Sequence, residues 1–359
     1  MLTFKILIDN RKEADSTEQN TLISEHALSI FIEYNGIKIL CDTGASASFI
    51  SNAANMGVDL SSVDICFISH GHSDHTGGIV EFINKVNSKC NIYLSDQIQG
   101  KKFYSCRGGK ERDISAPSLL SAPTLLSAPS QHSVPTQHIA PTRLSIQFTS
   151  SQLKPITNSC QIAPNIFVVT PCDYGYPKPI GNRHLSVCRM NSTSNAAREC
   201  PNSAQKYSNT AQECSSSAQE CSSSAQECSS SAQECSNAVQ DTFSHELALA
   251  IATPKGLVIF SPCTHNGIFN VIESCKEQTG TSNVHTFIGG LHLVDNSPTD
   301  EYETTAQITE VAQTFVHKYN NAQLFTGHCT GNIAINILNE VMPEAQFKVF
   351  YTGFETTLL

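Results

Sequence analysis

The six residues His70-Gly71-His72-Ser73-Asp74-His75 constrain this chain more than any other feature of its sequence. They follow the apolar run Asp64–Ser69 (DICFIS), which reads as a buried strand. In an extended loop residues i and i+2 project to one side, so His70 and His72 can grip one metal ion while Asp74 and His75 reach a second one close by. Neutral imidazole nitrogen and carboxylate oxygen suit zinc, as one ion or two, with manganese or iron as alternatives. Four polar residues on an exposed loop would be the bland reading, but three histidines and an aspartate packed into six residues at a strand end are improbable by composition. Gly71 lets the backbone bend tightly, and Gly77-Gly78 opens the following helix without side-chain obstruction.

Two repetitive tracts interrupt the chain. Residues 115–144 are five drifting copies of a hexapeptide (SAPSLL, SAPTLL and relatives), and residues 197–238 are six copies of a heptapeptide around AQECSSS. Proline at each hexapeptide prevents a regular helix or central strand, so an extended or disordered insertion is expected there. The heptapeptide offers alanine as its only apolar residue besides cysteine, too little for a coiled-coil seam, and reads as a disordered insertion. Without the tracts about 287 of the 359 residues remain, which one domain spanning 1–359 can accommodate.

Outside them the order is regular. Phe4–Ile8 suits a first strand, and Leu28–Tyr34 with Ile37–Cys41 flank Asn35-Gly36, the signal for a two-residue hairpin turn. A helix is expected over Ser46–Met56, stopped by Gly57, and another from near Thr76 with Ile79, Val80, Phe82, Ile83 and Val86 on its apolar face. Further strands are expected at Asn91–Leu94, Asn165–Thr170, Leu247–Thr253, Leu257–Ser261, Val284–Ile288, Gln323–Phe325 and Phe347–Tyr351. Helices are expected at Ile268–Gln278, Thr304–Tyr319 and Asn332–Val341. Strands lead each half and helices close each half. That pattern fits an α/β (α+β) architecture, an αββα sandwich of two mixed β-sheets with helices on the outer faces.

The formal net charge of −10 argues against a nucleic-acid partner. No apolar run approaches the length of a membrane span and no signal peptide is apparent, so a soluble cytoplasmic protein is expected. Five of the fifteen cysteines belong to the heptapeptide and the others are scattered without a CxxC pair, which fits a reduced compartment. The sequence does not speak to oligomeric state.

Asp42-Thr43-Gly44 followed by SHGHSDHTGG resembles the metallo-β-lactamase superfamily, whose αββα sandwich holds one or two metals at its open edge. SPCTHNGIFN (261–270), GGLHL (289–293) and GHCTG (327–331) are similar to the branch that includes the archaeal dihydropterin–aminobenzene-ribofuranosyl-phosphate synthase and many metal-dependent hydrolases. The resemblance implies His265 as a ligand, at the place where many members put a metal-bridging aspartate, with Cys263 as a soft alternative. It implies His328 as the last ligand. His292 could be a ligand, a group touching substrate or packing. Two departures stand out: the middle histidine usual in the superfamily has no counterpart, the nearest being His184 and His245, and the chain reads His245-Glu246-Leu247-Ala248 where relatives of this branch tend to show an acidic residue before Glu-x-x-Leu.

The chemistry implied is that of a metal-dependent hydrolase using a metal-activated hydroxide, since a metal lowers the pKa of bound water to about 7. The substrate would be a small anionic molecule reacting at a phosphoester, diphosphate or carbonyl group. Asp74 would hold the second metal and orient the nucleophile, with His292 as a catalytic candidate; Lys101, Lys102 and Tyr104 could face an anionic group, or be ordinary solvated residues. The alternatives are a transferase that forms a dihydropterin–aminobenzene conjugate with release of diphosphate, and a non-catalytic metal-binding protein. Lone histidines (His26, His132, His138, His285, His317) read as uninvolved.

Overall fold

The computed structural model describes residues 1–13, 21–117, 152–189 and 238–359. Apart from residues 115–117 and 238, both repeat tracts lie outside the described residues, and so does the expectation made for them.

The first sheet begins as a meander. Leu2–Ile8 pairs antiparallel with Ser29–Tyr34, which pairs antiparallel with Ile37–Cys41. The Asn35-Gly36 turn between them has φ of 51° and 84°, the left-handed pair that a tight hairpin turn needs. Next come Ile65–Phe67, Asn91–Ser95 and Leu153–Ile156, all parallel, while Glu355–Thr357 closes the other edge. The second sheet repeats the plan. Cys160–Ala163, Ile166–Val169, Ala248–Thr253 and Gly256–Phe260 run antiparallel, then Val284–Ile288, Gln323–Thr326 and Phe347–Val349 follow in parallel.

The sheets pack face to face. Between them lies an apolar layer that includes Phe4, Ile30, Phe67, Leu249, Phe260 and Phe325, with Phe4 edge-on to Phe260 at 6.0 Å and to Phe325 at 5.5 Å. The helix Ser48–Asn55 covers the outer face of the first sheet through Phe49 and Ala53. The helices Ile268–Thr279, Thr305–Lys318 and Asn332–Val341 cover the second. The expected four-layer sandwich is therefore the fold.

Two differences bear on function. The helix expected from Thr76 is instead a short turn at Ser73–Thr76, a second at Ile79–Glu81 and a π-turn at Phe82–Val86. Its glycines explain the break: a Cβ on Gly77 would lie 2.1 Å from Ala45 O, and one on Gly78 2.4 Å from Thr43 O, so the segment is pressed against the 42–46 loop. The second difference is a four-stranded sheet not expected from the sequence. Its hairpin Lys101–Arg107 and Lys110–Asp113 is continued by Leu185–Arg189 and Val239–Gln240. Its turn is Gly108-Gly109, with φ of 59° and 69°.

Candidate metal centre

The histidine motif leaves the C-terminal end of Ile65–Phe67. Cys263 and His265 leave Gly256–Phe260, His292 follows Val284–Ile288, and His328 follows Gln323–Thr326. All of these strands end on the same rim of the sandwich, the rim where α/β sheets present their loops.

The motif divides between two groups. Donor atoms of His70, His72 and His265 lie within 4.8 Å of one another, as do those of Asp74, His75 and His328. In the first, His70 Nε2 is 3.0 Å from His72 Nδ1. In the second, His75 Nε2 is 3.1 Å from His328 Nε2, and Asp74 Oδ2 lies 3.5 Å from His328 Nε2 and 3.7 Å from His75 Nε2. Cys263 Sγ, 3.2 Å from His75 Nε2, also groups with His70, and so touches both sets.

Hydrogen bonds at the back of the rings fix which nitrogen carries the proton. Ser69 Oγ donates to Asp42 Oδ2 at 2.6 Å, so at 2.8 Å it accepts from His70 Nδ1–H and leaves His70 Nε2 a bare lone pair. His75 Nδ1–H donates to Asp42 Oδ2 at 2.7 Å. Asn182 Nδ2 donates to His265 O at 2.8 Å, which turns its Oδ1 toward His265 Nδ1 at 3.0 Å. His265 is further clamped by Phe243, stacked at 4.1 Å, and by Glu246, which accepts from the His265 and Asn266 backbone N–H groups. The Nε2 atoms of His70 and His265, grouped with His72, are therefore left as acceptors. His72 Nε2, His265 Nε2 and His292 Nδ1 are buried and have no partner among the described residues. Converging acceptors without a donor fit a cation, and back-side hydrogen bonds of this kind are how proteins orient ring ligands toward one.

The electrostatics agree. Burial, reinforced by the neighbouring rings, holds His70, His265 and His328 well below the ordinary imidazole range and pulls His72 down to about 3. His75 goes the other way: burial opposes its charge, but the carboxylates of Asp74 and Asp42 push it up to about 9. Asp74 is half-buried, and its burial would raise it, yet His75 and His328 hold it far below the usual carboxylate range. One buried proton thus sits where the second group would place a cation. The backbone is also strained here. Asp42, Thr264, His292 and His328 have φ of 59°, 59°, 52° and 48° without being glycine, each costing roughly 1 kcal/mol or more.

The sequence-predicted residues His70, His72, Asp74, His75, His265 and His328 come together at this rim. His265 stands beside His70 and His72, and Cys263 lies between the groups. His245 forms a further group with His72 and Asp241: its Nδ1 accepts from Gly71 N–H at 3.1 Å and its Nε2 faces Asp241 Oδ2 at 2.9 Å, which also holds the His70–His72 loop. His184 stands apart, against Cys106 O and Asp300. His285 and His317 are uninvolved as expected, and His132 and His138 lie outside the described residues. His26, read as uninvolved, instead lines the site at 3.8 Å from Asp74, because the loop before Ser29 folds over Asp74.

In front of the rings is a cavity of about 520 Å³. His292 lines it, with Arg107 Nη2 at 3.4 Å from His292 Nε2. The cations that line it are Arg11, Arg107, Lys110 and Arg112, not Lys101 and Lys102. Strand alternation turns positions 102 and 104 away from the face of Phe103, Ser105 and Arg107, whereas Lys101 shares that face at the start of the strand but donates to Gln97 Oε1 at 3.3 Å. The sequence did carry the signal, since Gly108-Gly109 between two short runs marks a hairpin.

The description of the Metallo-beta-lactamase superfamily matches residues 25–88. The chain is 24% identical over 335 residues to 7,8-dihydropterin-6-methyl-4-(beta-D-ribofuranosyl)-aminobenzene-5'-phosphate synthase of Methanocaldococcus jannaschii, covering 92% of this chain and 89% of that protein. Among solved structures it is similar to Tm1679, a metal-dependent hydrolase of the beta-lactamase superfamily, with a TM-score of 0.63 and 20% identity over 99% of each chain. Motif, fold and matched sequence together show a metallo-beta-lactamase fold, with residues 25–88 similar to the metallo-beta-lactamase superfamily.

Proposed function

We propose that the chain is a metal-dependent hydrolase acting on a small anionic substrate. The observation that carries this reading is the grouping of the bare Nε2 atoms of His70 and His265 with His72, next to a second group of Asp74, His75 and His328, with His72, Asp74, His265 and His328 lining one cavity. His70, His72 and His265 would hold one ion; Asp74, His75 and His328 would hold a second. Three nitrogens in one group and a mixed nitrogen–carboxylate set in the other favour zinc, with manganese or iron as alternatives. Bound there, the metal supplies an acidified water and a Lewis acid for the charge that develops on the substrate. Asp74 would orient the attacking water. Burial and Arg107 keep His292 neutral at physiological pH, and because Arg107 Nη2 donates to its Nε2, the unpartnered Nδ1 carries the ring proton and can donate a hydrogen bond to the substrate. The arginines and lysine lining the cavity support a negatively charged substrate.

A second reading, a transferase forming a dihydropterin–aminobenzene conjugate with release of diphosphate, is favoured by the extent of the match to the archaeal synthase. A screen of phosphodiester, lactone, thioester and pterin-diphosphate substrates with zinc, manganese or iron separates the two. Turnover in water alone supports the hydrolase, and diphosphate release that requires an aminobenzene acceptor supports the transferase. A protein that retains metal and turns over none of them would be a non-catalytic metal-binding protein. Among the described residues no helix is long and apolar enough to cross a membrane.

A further inference from the structure

The hairpin that roofs the cavity carries an arrangement that a sheet avoids unless something neutralises it. Arg107 and Lys110 are directly opposite one another in its register, and Arg112, paired with Ser105, stands two residues further along the same face. Like charges placed directly across a strand pair are destabilising. Among the described residues no carboxylate forms an ion pair with any of the three. The acidic residues of the hairpin, Glu111 and Asp113, alternate onto its other face.

The guanidinium groups are also incompletely bonded. Arg107 Nε is buried with no partner, and so is Nη1 of Arg11, which enters the cavity from the other wall. Arg11 Nη2 is tied to Thr330 O at 2.6 Å, which holds its free edge in place. The hairpin is fixed as well, because Gly108 N–H donates to Asp300 Oδ2 at 2.8 Å and Ser115 Oγ accepts from Phe103 N–H at 2.9 Å. A buried guanidinium N–H without an acceptor is costly, and an oxyanion is the ligand whose geometry satisfies it. Asp295, the remaining carboxylate of that wall, already accepts from the Asn332 and Ile333 backbone N–H groups.

We propose that Arg107, Lys110 and Arg112, with Arg11 facing them, form a phosphate-type oxyanion subsite beside the histidine cluster, and that the substrate therefore carries an anionic group other than the one that reacts. This rests on the functional reading above and narrows it: one group reacts beside the histidines, and an anionic group is held by the hairpin to position it. A diphosphate ester, or a phosphorylated molecule with a second charge, has that form. A neutral lactone does not.

Titration calorimetry of the full chain with inorganic pyrophosphate tests this, before and after metal is removed with a chelator. Pyrophosphate should bind both forms, and the double variant Arg107→Gln, Arg112→Gln should weaken binding to the chelated form about tenfold or more with metal content unchanged. Arg112→Gln alone changes an exposed position and guards against loss of fold; it should weaken binding several-fold. Equal affinity in variants and wild type, or no binding once metal is removed, would overturn the subsite. The two claims fail separately. Wild-type protein that never holds metal yet binds pyrophosphate through the hairpin sinks the metal-dependent reading alone, whereas metal-loaded protein indifferent to the variants sinks the subsite alone.

Discussion

At the scale of single residues, the centre is governed by which ring nitrogen holds a proton. Asp42 serves two ligands at once, through Ser69 to His70 and directly to His75. Asp42→Asn should lower metal affinity about 10- to 100-fold, measured by competition with a chromophoric chelator, with the fold retained by circular dichroism. His75 supplies a pH test. With no cation present its proton is lost only near about 9, so metal binding at neutral pH must displace that proton. Apparent affinity should therefore rise with pH from neutrality up to about 9, by as much as tenfold per unit, and level off above it. An affinity flat across that interval would contradict the assignment of His75. The motif residues were legible in the sequence because they are adjacent along the chain. The roles of His26, Asn182, His245 and Arg107 were not, since each depends on a contact between segments far apart in sequence.

At the scale of elements, local patterns announced most of the frame. The Asn35-Gly36 hairpin and the helix Asn332–Val341 are where turn chemistry and apolar periodicity place them. The segment after Thr76 was misread because its apolar spacing suits a helix, whereas tertiary packing of Gly77 and Gly78 against the 42–46 loop breaks it into shorter turns. Gly78→Ala should accordingly destabilise the protein by roughly 2 kcal/mol or more in urea denaturation, since the new methyl would meet two backbone oxygens inside 2.6 Å. On the opposite face, Glu273 pairs with Lys276 within its own helix and ties Ile268–Thr279 to Thr305–Lys318 through Lys318, both at 2.8 Å, and to Tyr319 at 2.7 Å. Burial would raise its pKa, but these partners bring it down to about 2 from 4.5. A depressed carboxylate stabilises the fold above its unfolded pKa and loses that contribution as pH falls through the interval to its folded value. Glu273→Gln should thus cost roughly 1–2 kcal/mol at neutral pH, after allowing for solvent screening, and almost nothing near pH 2.

At the scale of the whole molecule, two similar halves meet so that strands from both deliver ligands to one rim. Neither half holds a complete group: His265 completes His70 and His72, and His328 completes Asp74 and His75. The heptapeptide tract enters after Leu185–Arg189 and leaves before Val239–Gln240, strands that are antiparallel neighbours with Val187 opposite Val239. Their ends are close enough for a short turn, so replacing residues 190–237 by a few turn residues should leave metal content and melting temperature nearly unchanged; loss of both would place function in the repeat. The central claim is that the histidine rim is a metal centre, and elemental analysis of purified protein tests it most directly. Between one and two transition-metal ions per chain are predicted, with loss of metal in the His70→Ala, His72→Ala variant while the fold persists by circular dichroism. Wild-type protein without metal after reconstitution, or a variant with undiminished metal content, would contradict it.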